Sequence, residues 1–140
     1  MTKKILYLIR GIPGSGKTTL AKSIAFATAY SGKEELPVWH YEADQFFINP
    51  ETKEYKYDKS LISEAHSDCI RNTYAAMLDK HPIIIVSNCF VKYWELEPYY
   101  MIANKTGYHV IEIICRGNFK SIHDVPQATI TRMKKDFQYV

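Results

Sequence analysis

Near the N-terminus the chain carries Gly11-Ile12-Pro13-Gly14-Ser15-Gly16-Lys17-Thr18, an uninterrupted G-x-x-x-x-G-K-[ST] stretch. Few short motifs restrict a fold as tightly. Glycines at these positions let the backbone turn sharply and aim several N–H groups at anionic oxygens. Lys17 adds a charge that reaches β- and γ-phosphates, and the Thr18 hydroxyl suits Mg²⁺. A helix starting near Lys17 adds its positive end. Gly11, Pro13, Gly14, Ser15, Gly16, Lys17, Thr18 and Thr19 are therefore the predicted phosphate site of a nucleoside triphosphate. Chance matches arise in roughly 0.5% of chains this size, so a ligand-free glycine turn is the weaker reading. Context agrees: Ile5 to Ile9 reads as a buried strand, and Leu20, Ile24 and Ala27 or Thr28 recur at helical spacing through about Tyr30.

The rest of the chain repeats that alternation. Val38-Trp39-His40-Tyr41 is a second predicted strand and Ile83-Ile84-Ile85-Val86 a third, apolar on both faces and so central in a parallel sheet. Tyr108 to Ile114 is a fourth. Helices are predicted over about 58–80, with Asp58 or Ser60 as N-cap and His81-Pro82 as stop, over 94–105 with Gly107 as C-cap, and over 127–137. Asn49 to Glu54 reads as an exposed loop. The expected fold is α/β: one three-layer domain around a mostly parallel sheet of four to five strands, with right-handed crossovers.

Composition excludes little. The 140 residues suffice for one core, a net charge of +3 permits nucleic acid without arguing for it, and no apolar run is long enough to span a membrane. Cys69, Cys89 and Cys115 are few and scattered, which fits a reduced, cytoplasmic protein. His66 and Cys69 could share a metal face on one helix, but packing is the better reading, since no second pair completes a site.

Ligands in such sheets bind at the carboxyl ends of the strands. That rule selects Gly11 to Thr18, Glu42 to Gln45, Ser87 to Cys89 and Cys115 to Asn118. Asp44 is the acid best placed to take a proton from an attacking hydroxyl or to hold Mg²⁺ through water; its other reading is an N-cap for Gln45 to Ile48. Glu42 is an auxiliary acid or, as preferred here, a peripheral charge. Ser87 and Asn88 stand where many P-loop ATPases carry an acid, so a motor-type ATPase is disfavoured; they orient metal-bound water or cap the strand. Arg116, Arg132, Lys134 and Lys135 are candidate cations for a short lid over about 116–135, whose loop is Gly117 to Pro126. For Lys134 and Lys135 a solvated helix face is preferred.

Leu8 to Ala21, Asp44-Gln45-Phe46-Phe47, Trp94-Glu95-Leu96-Glu97-Pro98-Tyr99 and the stretch from Ile122 through Met133 together resemble small P-loop kinase domains related to polynucleotide 5′-kinase. The likeness extends to short phage-encoded ATP-binding proteins and NEDD4-binding-protein-like kinase domains. The resemblance implies ATP- and Mg²⁺-dependent transfer of the γ-phosphate to a hydroxyl of DNA or RNA, with Asp44 in the general-base position. It also raises the expectation of a phage protein acting in a host cytoplasm. Two departures stand out: Gln45-Phe46-Phe47 replaces the acid and arginine common beside that base, and the last strand of such kinases is expected to be missing. A small-molecule kinase and a nucleotide-binding interaction protein with little turnover are the alternatives. The aromatics Tyr55, Tyr57, Tyr93, Trp94, Tyr99 and Tyr100 could stack on bases but read mainly as core and rim. Nothing in the sequence sets an oligomeric state.

Overall fold

Four apolar stretches form one parallel sheet in this computed structural model, which describes residues 3–29, 37–119 and 125–139. The strands are β1 (Ile5–Arg10), β2 (Val38–Tyr41), β3 (Ile83–Asn88) and β4 (His109–Ile114), in the order β2-β3-β1-β4 with every pairing parallel. The helices are α1 (Lys17–Ala29), α2 (Ile62–Leu78), α3 (Glu97–Thr106) and α4 (Gln127–Asp136).

Alternation along the two central strands divides the core. Leu6, Leu8, Ile84 and Val86 point to one face and meet Ala65, Cys69, Ala76 and Met77 of α2 and Tyr99 and Ala103 of α3. Ile9, Ile83 and Ile85 point to the other and meet Ala21 of α1, with Leu20 and Ile24 packed alongside. Two buried faces explain why β3 is apolar without alternation. Each fully buried Leu or Ile contributes about 1.5–3 kcal/mol, so these central strands dominate the stability.

The expected elements are all present, with shifted edges. Strand β3 runs on to Asn88, because β1 continues beside it and pairs Ile9 with Ser87 and Arg10 with Asn88. Ser87 and Asn88 are thus strand residues, not the first residues beyond the strand. The 58–80 segment opens with a 3-10 turn, Lys59–Leu61, whose Ser60 N–H bonds the Asp58 carboxylate at 3.0 Å. The 94–105 segment likewise opens with a 3-10 turn, Tyr93–Glu95; Pro98 sits in the first turn of α3, and Gly107 closes it at φ 80°. Asn49 to Glu54 is the exposed turn expected, closed by an antiparallel bridge between Ile48 and Tyr55. Tyr30, and residues 120–124 of the expected lid, lie outside the described residues.

Arg10 ends β1 fully buried. Its Nε and Nη2 donate to the Phe90 carbonyl at 3.1 and 2.9 Å, and Nη2 also donates to Gln138 O at 2.5 Å. The guanidinium lies over the rings of Tyr93 and Phe137. Its ion pair with Glu112 is long, at 3.4 Å, and Glu112 is partly exposed, so the carbonyl bonds outweigh it. One side chain thereby ties β1, the β3–α3 loop and the segment after α4. Arg10→Ala is expected to lower stability by about 2–5 kcal/mol, from carbonyls left unpaired and the cavity left behind, read as a fall in the urea midpoint; a midpoint within error of wild type would refute this role.

Candidate functional site

The loop between β1 and α1 has the conformation its glycines predict. Gly14 and Gly16 adopt φ 82° and 98°, which L side chains rarely reach. Among the described residues the N–H groups of Gly14, Gly16, Lys17 and Thr18 find no backbone acceptor. They stand as donors at the N-terminus of α1. Ser15 is buried, and its hydroxyl has no partner among the described residues. A Cβ on Gly11 would lie 2.2 Å from that hydroxyl and 2.9 Å from the Cys115 carbonyl, so only glycine fits there. Lys17 Nζ folds over the loop, donating to Ile12 O at 3.0 Å with Cys89 Sγ at 4.0 Å. Unmet donors, an orphaned hydroxyl and a folded-back lysine are the arrangement that bound phosphates would complete.

The β4 end closes one side of this loop. Cys115 N bonds Arg10 O, Gly117 N bonds Ser15 O at 3.0 Å, and Phe119 N bonds Gly14 O at 2.7 Å. The Phe119 ring, 68% exposed, lies against Gly16. Sequence reading placed Cys115 to Asn118 at the ligand edge but missed this docking, which depends on contacts over a hundred residues apart. Arg116 is exposed and stacks on Tyr139 at 4.5 Å. Arg132 is exposed on α4 and makes no hydrogen bond or ion pair among the described residues. Neither arginine reaches the loop in this structure. Thr19 is exposed on the first turn of α1, and Pro13 is partly buried.

The β2 and β3 ends close the other side. Asp44 lies in the 3-10 turn Ala43–Phe47, but the N-cap position there belongs to Glu42, without a side-chain cap bond. The capping alternative for Asp44 is therefore wrong. Its carboxylate instead accepts the Tyr55 hydroxyl at 3.2 Å. Burial, and then the adjacent Asp44 charge, push the Tyr55 phenol well above its ordinary range, so it stays a donor. Asn88 Oδ1 accepts the Ala43 N–H at 2.8 Å. Asn88 is thus a strut that fixes the turn carrying Asp44, rather than a group facing metal-bound water.

Glu42 is not the peripheral charge expected. Its side chain is only 19% exposed, and Oε1 accepts from Thr18 Oγ1 at 3.1 Å and Ser87 Oγ at 3.2 Å. His40 Nε2 lies 3.2 Å from the same oxygen and 2.6 Å from Ser87 Oγ. Burial lowers the His40 pKa, Glu42 pulls it back up, and Lys22 reinforces the lowering. At Cys89, burial raises the thiol pKa, Lys17 opposes that and Asp44 adds to it; one sulfur therefore feels both charges.

The structure brings together Lys17, Thr18, Glu42, Asp44 and Ser87 and leaves Arg116 and Arg132 outside. The three cysteines are free, and among the described residues no three His, Cys, Asp or Glu side chains form a preformed metal cluster. No described helix is long and apolar enough to cross a membrane. Of the aromatics, Tyr99 is buried, Tyr55 and Tyr93 are half-buried, and Tyr57, Trp94 and Tyr100 are exposed.

No protein-family model matches the chain. NEDD4-binding protein 2 of Homo sapiens is 32% identical over 145 residues, an alignment that takes in 96% of this chain and 8% of that protein. The chain thus spans less than a tenth of that relative's length. Among solved structures, a chain of the Pnkp1/Rnl/Hen1 RNA repair complex superposes with a TM-score of 0.68 at 14% identity, covering 99% of this chain and 45% of the other. The Mycobacterium tuberculosis APS kinase CysC in complex with AMPPNP and APS superposes with a TM-score of 0.61 at 14% identity, covering 94% and 69%. At such identities the likeness establishes the fold alone: an α/β architecture with a four-stranded, all-parallel sheet flanked by helices.

Proposed function

We propose that this chain is an ATP- and Mg²⁺-dependent phosphotransferase that moves the γ-phosphate to a hydroxyl of a nucleic-acid acceptor, a polynucleotide 5′-hydroxyl in particular. One observation carries the reading: a carboxylate oriented by Tyr55, that of Asp44, stands at the same sheet edge as a loop of unmet N–H donors. Asp44 accepts the proton of the acceptor hydroxyl as its oxygen bonds to the γ-phosphorus and the bond to the β-phosphate oxygen breaks. Lys17 and the N–H groups of Gly14, Gly16, Lys17 and Thr18 hold the phosphate oxygens, with Gly11, Pro13, Ser15 and Thr19 shaping the loop. A bound Mg²⁺ would supply positive charge to the transferring group. Thr18 would hold it directly, which leaves Asp44 for the proton. Arg116 and Arg132 are assigned as the cations that approach the phosphates when nucleotide is bound, Arg116 leaving Tyr139 to do so.

The nucleic-acid acceptor draws on one comparison: a structural neighbour belongs to an RNA repair complex. A small-molecule acceptor is the second reading, favoured by the likeness to APS kinase, which was solved with APS bound. Label from γ-labelled ATP is expected on 5′-hydroxyl oligonucleotides of DNA or RNA. Label confined to nucleosides, nucleotides or other metabolites would replace the acceptor. ATP binding without label on any acceptor would leave the interaction-protein reading instead.

A further inference from the structure

We infer that Glu42 supplies the carboxylate that orients the metal's water shell, a task an acid at the end of β3 performs in other P-loop NTPases. The inference rests on reading the loop as an ATP·Mg²⁺ site. In that class the metal is held by the loop's Ser or Thr and by an acid from a neighbouring strand end. Here β3 ends in Ser87 and Asn88, and the Asn88 oxygen is engaged by the Ala43 N–H. One strand further out, the register does the rest. Tyr41 pairs with Val86, so the next residue of each strand, Glu42 and Ser87, stand side by side. Ser87 extends the reach of β3 only by a hydroxyl, which donates to Glu42 Oε1 at 3.2 Å.

The hydrogen bonds have the polarity a metal site needs. Thr18 donates its proton to Glu42, which leaves the Thr18 oxygen lone pairs for a cation. Among the described residues every polar contact of the Glu42 side chain falls on Oε1, and Oε2 accepts no hydrogen bond. A second carboxylate oxygen is thus placed to accept from metal-bound water. Mg²⁺ keeps several waters and is bound through one or two carboxylates plus substrate phosphates. A site of Thr18, Glu42 and phosphate therefore forms without a preformed cluster of protein ligands.

The test is the coupling between metal and nucleotide, measured without turnover. A fluorescent ATP analogue is titrated into wild type, Glu42→Gln, Thr18→Ala and the double variant Glu42→Gln/Ser87→Asp, each with and without Mg²⁺. Glu42→Gln is expected to keep its metal-free affinity within about twofold and lose about 10–100-fold of the Mg²⁺-dependent gain. Ser87→Asp, which sets a carboxylate beside the neutralised side chain, is expected to restore most of that gain. If Glu42→Gln keeps the full gain while Thr18→Ala loses it, Glu42 has no such task and the site reading stands. Equal weakening with and without metal, unrescued by Ser87→Asp, would show a merely structural role and overturn the inference. A wild-type protein whose nucleotide affinity ignores Mg²⁺ would overturn the underlying site reading as well.

Discussion

Replacing Lys17 with alanine is expected to lower ATP-dependent transfer by about 10²–10³-fold while the urea midpoint stays at its wild-type value. The two halves of that expectation come from different parts of the structure. In the nucleotide-free protein Lys17 Nζ has only the Ile12 carbonyl at 3.0 Å and a long contact to Cys89 Sγ. A single bond at a partly exposed loop contributes about 0.5–1.5 kcal/mol, and water replaces it in the variant. The shape of the loop is set elsewhere, by the positive φ of Gly14 and Gly16 and by the bonds from Gly117 and Phe119 to Ser15 and Gly14. The charge matters when phosphates arrive, because Lys17 already lies over the loop before nucleotide binds, and among the described residues no other lysine or arginine side chain hydrogen-bonds it. Arg116 starts stacked on Tyr139, and Arg10 is locked by carbonyls. Steady-state transfer, read beside denaturation, checks both halves. Transfer at the wild-type rate would refute the assignment of the site; a lower midpoint would show that Lys17 props the loop open.

What the sequence made legible was whatever is local along the chain. The phosphate loop is eight consecutive residues whose backbone geometry follows from their own identities. The division of β3 between two buried faces could likewise be read from four β-branched residues in a row. Asp44 could be placed because it lies just past a strand. Glu42 was undervalued because its position depends on which strand lies beside β2 and in what register. A signal was nonetheless available: an acid was missing after β3, and a second acid lay two residues before Asp44. Arg10 gave less warning. An arginine after an apolar run looks like a strand end reaching water, and its burial requires Phe90 and Gln138, distant in sequence. Arg116 and Arg132 were chosen for charge alone, and which way a helix face or a loop points is fixed by tertiary contacts that no local pattern encodes.

Those non-local contacts also decide how Asp44 should be tested. Asp44→Asn is expected to reduce kcat by about 10²–10⁴-fold with ATP affinity unchanged within about twofold. The amide is a fair probe because it preserves shape. Its oxygen can still accept the Tyr55 hydroxyl, which burial keeps protonated, and the Asn88–Ala43 strut that fixes the turn does not involve the Asp44 side chain. What the variant removes is the negative charge and the ability to take a proton. A proton acceptor acts only as the hydroxyl attacks, so its loss falls on the chemical step and spares nucleotide binding. A metal ligand behaves differently: its removal weakens Mg²⁺-dependent nucleotide affinity before any chemistry occurs. Asp44 and Glu42 are thereby separable, since Asp44→Asn should leave the metal coupling intact that Glu42→Gln reduces. Single-turnover transfer and nucleotide titration on the same preparations give both readouts. Loss of transfer together with loss of Mg²⁺ coupling would move Asp44 to the metal, and an unchanged kcat would remove it from the mechanism.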